Sequence, residues 1–142
     1  MIRIKPLRRA RPPAPSERVL HMAVAAYLRV ALMPPVYWSA VDAGAGKLTP
    51  AAAGNAKGRG VKAGLCDIFI FVPRDGLTLV IGIELKKSRI GRLSDVQVTT
   101  HLALQAAGVR CHVARSVDEV EQILASHGVP LRARSLPLGR VA

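Results

Sequence analysis

Acidic and aromatic residues are both scarce in this sequence. Nine Asp and Glu stand against 21 Lys and Arg, a formal net charge of +12, and 4% of the residues are aromatic. An excess of positive charge this large in 142 residues favours a polyanionic partner, with nucleic acid ahead of an anionic membrane. No apolar run is long enough to cross a bilayer, and the basic N-terminal residues are not followed by the apolar stretch of a signal peptide. We therefore expect neither a membrane span nor a secretion signal.

Cysteine is rare as well. Cys66 and Cys111 lie far apart, without the spacing of metal ligands, and each belongs to an apolar run typical of a strand. Unpaired cysteines in such runs are usually buried and behave as small apolar side chains. The sequence therefore predicts two structural thiols and a reducing, cytoplasmic compartment.

Aliphatic side chains, by contrast, are abundant, since half of the residues are hydrophobic. A chain of this length and composition can build one domain with a hydrophobic core. We place that domain at residues 16–128. A basic, proline-containing tail (residues 1–15) precedes it and a second basic tail (residues 129–142) follows it. The N-terminal tail is expected to be flexible until it meets a partner.

The first half of the domain begins with a helix. Ser16 is a candidate N-cap, and apolar residues at helical spacing continue to about Leu32, where two prolines end the helix. A short strand is expected at residues 36–41. Residues 42–64 are rich in Gly, Ala, Lys and Arg and have no clear period, so we predict a long functional loop there.

The second half alternates strands and helices. Strong strand patterns cover residues 65–72 and 77–85, with a hairpin turn at Asp75-Gly76 between them. Ser94, with Gln97 in a capping box, starts a second helix, a strand follows at residues 109–114, and a third helix starts at Ser116. The predicted order is α-β-β-β-α-β-α. It indicates an α/β domain with a mixed central β-sheet flanked by helices, whose last two strands are parallel.

The hairpin turn brings the acidic residues of these strands together. With Asp75 and Gly76 as the two turn residues, Asp67 faces Glu84, and facing side chains lie about 5 Å apart at Cβ. Two carboxylates on apolar strands repel each other and lose hydration. A divalent cation relieves both effects, and Mg²⁺ prefers carboxylate and water oxygens. The pair therefore predicts a metal site.

Alternation along the strand places Lys86 on the same face as Glu84, and Gly82 on that face leaves room beside the acids. Phosphodiester hydrolysis needs this set: a cation that lowers the pKa of a bound water, and a positive group that stabilises the phosphorane charge. The alternative is an ordinary salt bridge between Lys86 and one of the acids at a strand end.

Four short motifs resemble one known family. They are Gly64-Leu-Cys-Asp67, Ile83-Glu84-Leu85-Lys86, Gly91-Arg92-Leu93-Ser94-Asp95-Val96-Gln97 and Ala107-Gly108-Val109. Together they resemble the virus-type replication-repair nuclease (VRR-NUC) domain, a branch of the PD-(D/E)XK nuclease superfamily. The similarity extends from about Ser16 to Arg132. It implies a restriction-endonuclease-like core and, for small stand-alone members, a homodimer in a bacterial or phage DNA-repair setting.

The resemblance also implies roles for individual residues. Asp67, Glu84 and the Leu85 carbonyl would bind Mg²⁺ or Mn²⁺, and Lys86 would be the catalytic lysine. Gln97 would contact the metal-bound water or the scissile phosphate, and Glu17 would be the outer acidic residue of the site. Each of the last two has a simpler interpretation, because both residues also suit the first turn of a helix. The family usually has proline before the first aspartate, where this chain has Cys66; that proline is not a ligand, so we expect activity to survive.

Basic residues flank the predicted site in two segments. They are predicted to bind DNA phosphates and are Lys57, Arg59, Lys62, Lys87, Arg89 and Arg92. Contacts of this kind position DNA without reading bases. Of the histidines, His101 is expected to face solvent, with a contact to a DNA phosphate as the alternative, and the other three show no ligand spacing. Leu20 and Val24 of the first helix suit either the core or a dimer interface.

These patterns and the resemblance together predict a Mg²⁺-dependent, structure-selective DNA endonuclease of the Holliday-junction-resolvase type. Two alternatives remain from the sequence. One is a flap or restriction-type nuclease, and the other is a DNA-binding protein that has the same fold and does not cut.

Overall fold

A four-stranded mixed sheet forms the centre of the protein, in a computed structural model that describes residues 16–42, 49–87 and 91–132. Its strands are β1 (Tyr37–Ala40), β2 (Ile68–Arg74), β3 (Leu77–Leu85) and β4 (Arg110–Ala114), and they lie in that order across the sheet. β1 and β3 both pair with β2 in antiparallel fashion, whereas β3 and β4 are parallel. The predicted α/β class and mixed sheet are confirmed.

The hairpin between β2 and β3 has the predicted turn and register. Asp75 and Gly76 have φ values of 50° and 76°, and positive φ at both central residues matches the right-handed twist of the strands. The pairing runs from Arg74 opposite Leu77 to Ile68 opposite Ile83. The turn therefore sets which residues face each other at the far end of the hairpin.

Two helices cover one face of the sheet. They are α1 (Glu17–Ala31), capped by Ser16, and α4 (Val117–Ser126), capped by Ser116. The core between them and the strands contains Leu20, Val24, Leu28, Leu32, Ile68, Ile70, Val72, Ile81, Ile83, Leu85, Ala114, Val120, Leu124 and Val129. Leu20 and Val24 are thus core residues. The third sheet-packing helix, α3 (Asp95–Ala106), lies on the opposite face, where its side chains reach Glu84.

One helix and one strand boundary differ from the prediction. The predicted loop at residues 42–64 contains a helix, α2 (Pro50–Gly58), with Thr49 as N-cap, so the order is α-β-α-β-β-α-β-α. No residue of α2 is buried, and a helix that buries no face leaves no apolar period in the sequence. In addition, β2 begins at Ile68 and not at residue 65, because the chain bends at Asp67.

Packing continues past the predicted boundary at residue 128: Val129 belongs to the core, and the Arg132 N–H donates to the Ala31 carbonyl at 2.8 Å. The predicted N-terminal tail, residues 133–142 of the predicted C-terminal tail, and Arg89 lie outside the described residues. Among the helices described, none is long and apolar enough to cross a membrane.

Candidate active site

Glu84 is the most deeply buried charged residue of the described structure, with 2% of its surface exposed. Strand alternation directs its neighbours Ile83 and Leu85 into the core and Glu84 to the opposite face, under α3. Its Oε1 atom accepts hydrogen bonds from Lys86 Nζ, at 2.8 Å, and from the Gln97 side-chain amide. Its Oε2 atom is also buried and has no hydrogen-bond partner among the described residues. His101 Nε2 lies 3.9 Å from Oε2.

Asp67 lies at the bend just before β2, one position beyond the last paired residues of the hairpin. Its backbone carbonyl accepts from Val41 N–H at 2.7 Å, and its Oδ2 atom accepts from Leu85 N–H at 2.7 Å. The carboxylate therefore terminates the β2–β3 pairing with a side chain in place of the main chain. His21 Nε2 of α1 lies 3.7 Å from the same Oδ2 atom.

The environment disfavours the charged forms of both acids. Burial raises the pKa of Glu84, and the charge of Asp67 raises it further, against the opposing effect of the Lys86 hydrogen bond. Burial also raises the pKa of Asp67, although the Leu85 N–H bond, His21 and Lys86 act in the opposite direction. A site that destabilises two neighbouring carboxylates is one where a bound cation would be favourable.

The donor set fits a small divalent cation of the Mg²⁺ type. Glu84 Oε2 is a buried acceptor without a donor among the described residues, and Asp67 remains one-quarter exposed, so water can reach the Asp67 carboxylate. Within residues 16–42, 49–87 and 91–132, no cluster of three or more His, Cys, Asp or Glu side chains forms a closed metal cage. Mg²⁺ commonly binds to one or two carboxylates and completes its octahedron with waters and substrate oxygens. Asp67, Glu84 and the Leu85 carbonyl are the residues that could hold it.

Lys86 lies on the predicted face and contacts Glu84 directly. This contact suits both interpretations from the sequence, a catalytic lysine and an ordinary ion pair, so it does not separate them. The expectation for Gly82 was different from what the structure shows. A Cβ at Gly82 would lie 2.7 Å from Cys66 Sγ, so the missing side chain accommodates that sulfur and is not the source of room for a ligand.

Gln97 joins the helix cap to the acidic pair. Its side-chain oxygen accepts from Ser94 N–H at 3.0 Å, and Ser94 Oγ accepts from Gln97 N–H at 3.2 Å, which is the predicted capping box. With its oxygen held by the cap, the amide nitrogen of Gln97 is directed at Glu84 Oε1. The capping role and the site role of Gln97 are therefore compatible.

His101 is buried, which corrects the expectation that it faces solvent. It is 5% exposed, and its Nε2 atom lies 3.5 Å from Cys66 Sγ and 3.9 Å from Glu84 Oε2. Burial lowers the pKa of His101 and favours its neutral form, and burial raises the pKa of the Cys66 thiol. The signal was present in the sequence, because His101 is one helical turn after Gln97 and so shares its face.

The first helix contributes two residues to the outer side of the site. Glu17, assigned on resemblance, is exposed in the first turn of α1, and its charge adds a small contribution to the pKa of Asp67, which is raised mainly by burial. His21, which had no predicted role, is one turn further along and contacts Asp67. Residues from α1, the bend before β2, β3 and α3 thus meet at one end of the sheet.

The predicted phosphate-binding residues are exposed wherever the structure describes them. These are Lys57, Arg59, Lys62, Lys87 and Arg92. Lys57 belongs to α2 and Arg59 is its C-cap, so these two are on a helix and at its end, where a loop had been predicted.

No family model matches this chain, no curated protein matches it, and no solved structure matches its fold.

Proposed function

We propose that this protein is a Mg²⁺-dependent DNA endonuclease that hydrolyses phosphodiester bonds at the site formed by Asp67, Glu84 and Lys86. The observation that carries the proposal is the buried Glu84 Oε2 atom, which has no hydrogen-bond donor among the described residues although Lys86 and Gln97 both bind the other oxygen. Leaving a buried carboxylate oxygen unpaired is costly, and a cation shared with Asp67 removes that cost.

In this proposal Asp67, Glu84 and the Leu85 carbonyl hold Mg²⁺ or Mn²⁺. When bound, the cation supplies Lewis acidity and lowers the pKa of a coordinated water. Glu84 holds the Lys86 ammonium at 2.8 Å, where it can donate to a non-bridging phosphate oxygen or orient the attacking water. The Gln97 amide, fixed by the Ser94 cap, restricts Glu84 to one orientation.

We further propose that the chain is a member of the VRR-NUC branch of the PD-(D/E)XK nucleases. The antiparallel hairpin that ends in the acidic pair, followed by α3 and the parallel strand β4, supports a restriction-endonuclease-like core. A branched DNA substrate such as a four-way junction comes from the resemblance alone. The net charge of +12 supports nucleic acid in general.

A homodimer is part of the same proposal, and the outer face of α1 supports it. Val19 and Val30 are 54% and 57% exposed, and Ala23 and Ala26 between them are exposed as well. The spacing of these four residues reads the same in both directions along the helix, so two antiparallel copies of α1 can pack about a two-fold axis. All four side chains are uncharged, which matters when two copies of +12 approach each other.

The test uses labelled four-way junction, flap and plain duplex DNA, each incubated with and without Mg²⁺. We expect Mg²⁺-dependent cutting of the junction that is lost in Asp67→Ala and Lys86→Ala. Cutting of the flap or the duplex alone would favour the flap or restriction-type alternative. DNA binding without cutting, together with no calorimetric signal for Mg²⁺ or Mn²⁺, would replace the proposal with a non-catalytic DNA-binding protein. Ultracentrifugation of Ala26→Arg beside the wild type tests the dimer.

A further inference from the structure

The segment between β1 and β2 forms a helix, yet none of the helix residues is buried against the rest of the domain. Residues 49–64, here called the basic arm, consist of α2 and the turn that follows it. No residue of α2 is buried, and a Cβ added at Gly54, Gly58 or Gly60 would meet nothing within 4 Å. A helix of nine residues with no buried residue is marginal in water. A partner that contacts the basic arm would therefore stabilise it.

The end of α2 nevertheless has a defined backbone path. Gly60 has a φ of 85°, its N–H donates to the Lys57 carbonyl at 2.9 Å, and the Val61 N–H donates to the Ala56 carbonyl at 3.0 Å. This pair of bonds around a left-handed glycine is a Schellman motif, which satisfies the last carbonyls of the helix. The motif fixes the direction in which the chain leaves α2 toward Lys62.

The charge of the basic arm has one sign. Lys57, Arg59 and Lys62 are all exposed, and the sequence has no Asp or Glu between Thr49 and Gly64. Within the described residues, no salt bridge to an acidic side chain involves these three cations. Exposed cations on an element with no apolar contact face are complementary to a row of phosphates and not to an apolar groove.

The basic arm is attached to the candidate active site at its C-terminal end. Thr100 Oγ1 donates to the Ala63 carbonyl at 2.7 Å. Gly64, with a φ of 79°, lies so close to α3 that a Cβ there would be 2.8 Å from the Val96 carbonyl oxygen and 3.0 Å from Gln97 Cα. Gln97 is the residue whose amide contacts Glu84. The attachment point and the acidic pair are therefore separated by one side chain.

We propose that the basic arm binds the phosphodiester backbone of DNA, and that Thr100 and Gly64 are positioning residues that hold it beside the Asp67–Glu84 pair. The phosphates that Lys57, Arg59 and Lys62 bind are then close to the scissile phosphate on the same DNA. This inference rests on the proposed function for the identity of the polymer and for the reaction.

Binding is measured first, without hydrolysis. A fluorescent four-way junction is titrated in EDTA at several salt concentrations with wild type, with the triple variant Lys57→Ala/Arg59→Ala/Lys62→Ala, and with a control triple variant of equal charge change, Arg18→Ala/Arg29→Ala/Arg110→Ala. Loss of three phosphate contacts lowers the slope of log affinity against log salt by about 2–3. We expect this in the triple variant of the arm and a change below about 1 in the control. Equal losses in both triples, or no loss in the variant of the arm, would overturn the proposal.

The attachment is tested with two neighbouring threonines of α3. Thr100→Val removes the hydrogen bond to Ala63, whereas Thr99→Val removes only a bond to Asp95 of its own helix, at 3.0 Å. We expect Thr100→Val to raise KM for the junction several-fold with little change in kcat, and Thr99→Val to leave both unchanged. Gly64→Ala should resemble Thr100→Val, and circular dichroism checks that each variant is folded. A fall in kcat alone, or no difference between the two threonine variants, contradicts a positioning role.

The two proposals fail in different ways. If the wild type binds DNA through the basic arm but never cuts it, the proposal for the arm is supported and the proposed nuclease activity is contradicted. If the wild type cuts normally and the triple variant of the arm binds as tightly as wild type, the proposed nuclease activity is supported and the proposal for the arm is contradicted. A wild type that does not bind DNA overturns both.

Discussion

The carboxylate of Asp67 accepts a hydrogen bond from the backbone N–H of Leu85 at 2.7 Å, across the open end of the β2–β3 hairpin. An acidic side chain thus closes the pairing where the main chain of β2 bends away. The position of Asp67 is consequently determined by the backbone at the end of β3, where Glu84 precedes Leu85 in the strand and Lys86 follows it. Four features of this centre, and a histidine pair outside it, lead to measurable predictions.

Asp67→Asn should stabilise the metal-free protein and abolish cutting. Burial raises the pKa of Asp67, so the folded state disfavours its charge, and this charge lowers stability as the pH rises through the folded pKa. An amide at this position still accepts from Leu85 N–H. Each ~1 kcal/mol gained raises the melting temperature by roughly 3–5 °C for a chain of this size. Scanning calorimetry in EDTA checks this, and a lower melting temperature for Asp67→Asn would contradict the argument.

Lys86→Met should reduce cutting by at least ~10²-fold and also destabilise the fold, because it leaves the Gln97 amide as the remaining donor to Glu84 Oε1 among the described residues. Removing one partner of a buried charge pair costs about 3–5 kcal/mol. Mg²⁺ should recover part of that loss, because the cation replaces the missing positive charge. The measurement is chemical denaturation with and without Mg²⁺, and Lys87→Met, on the exposed neighbour, is the control.

Gly82→Ala should be destabilising, and Cys66→Gly should rescue it. The added Cβ would lie 2.7 Å from Cys66 Sγ and 3.3 Å from a Phe69 ring carbon. Overpacking of this kind costs about 1–3 kcal/mol. Denaturation of both single variants and the double variant gives the coupling between the two positions, and additive effects would show that the sulfur is not what the methyl group meets.

Comparison of Gln97→Ala with Ser94→Ala should distinguish the role of Gln97 in the helix cap from its role in the candidate active site. Both variants lose part of the capping box and should be destabilised by about 1 kcal/mol. Only Gln97→Ala also loses the amide donor to Glu84, so it alone should lower kcat substantially. Equal activities for the two variants would mean that Gln97 serves the helix and not the reaction.

The His112–His127 pair should make the fold sensitive to acid. Their Nε2 atoms lie 2.8 Å apart, and burial lowers the pKa of both below the ordinary value of 6.5. A lowered histidine pKa means that the folded state binds protons less readily than the unfolded state, so stability falls as the pH drops through about 6.5. Thermal melts from pH 8 to pH 5 should show this loss in wild type and a smaller one in His112→Asn/His127→Asn. Identical pH profiles for the two proteins would show that the histidine pair does not cause the loss of stability in acid.

The hairpin was predictable because its turn and register depend on neighbours in sequence, but the pairing ends one position short of the predicted pair of Asp67 and Glu84. Asp75 and Gly76 suit only a few turns, and the turn fixes the register as far as Ile68 and Ile83. The capping box at Ser94 and Gln97 is equally local.

The features that were not predicted depend on contacts between residues far apart in the sequence. α2 buries nothing and therefore has no apolar period. The burial of His101 and the use of the space at Gly82 both depend on Cys66, which reaches them from a part of the chain that no short pattern connects with either. The contact between His21 and Asp67 likewise requires knowing where α1 crosses the sheet.

The helix α1 has two exposed sides with different tasks. Glu17 and His21 adjoin Asp67, and the outer stripe of Val19, Ala23, Ala26 and Val30 is proposed to meet a second copy. If two copies pair through that stripe, dilution separates them by mass action. Separation removes the partner helix from α1, which borders the acidic pair, so turnover per chain should depend on protein concentration. Enzymatic rates measured at nanomolar and at micromolar concentrations would then differ by more than the ratio of the concentrations.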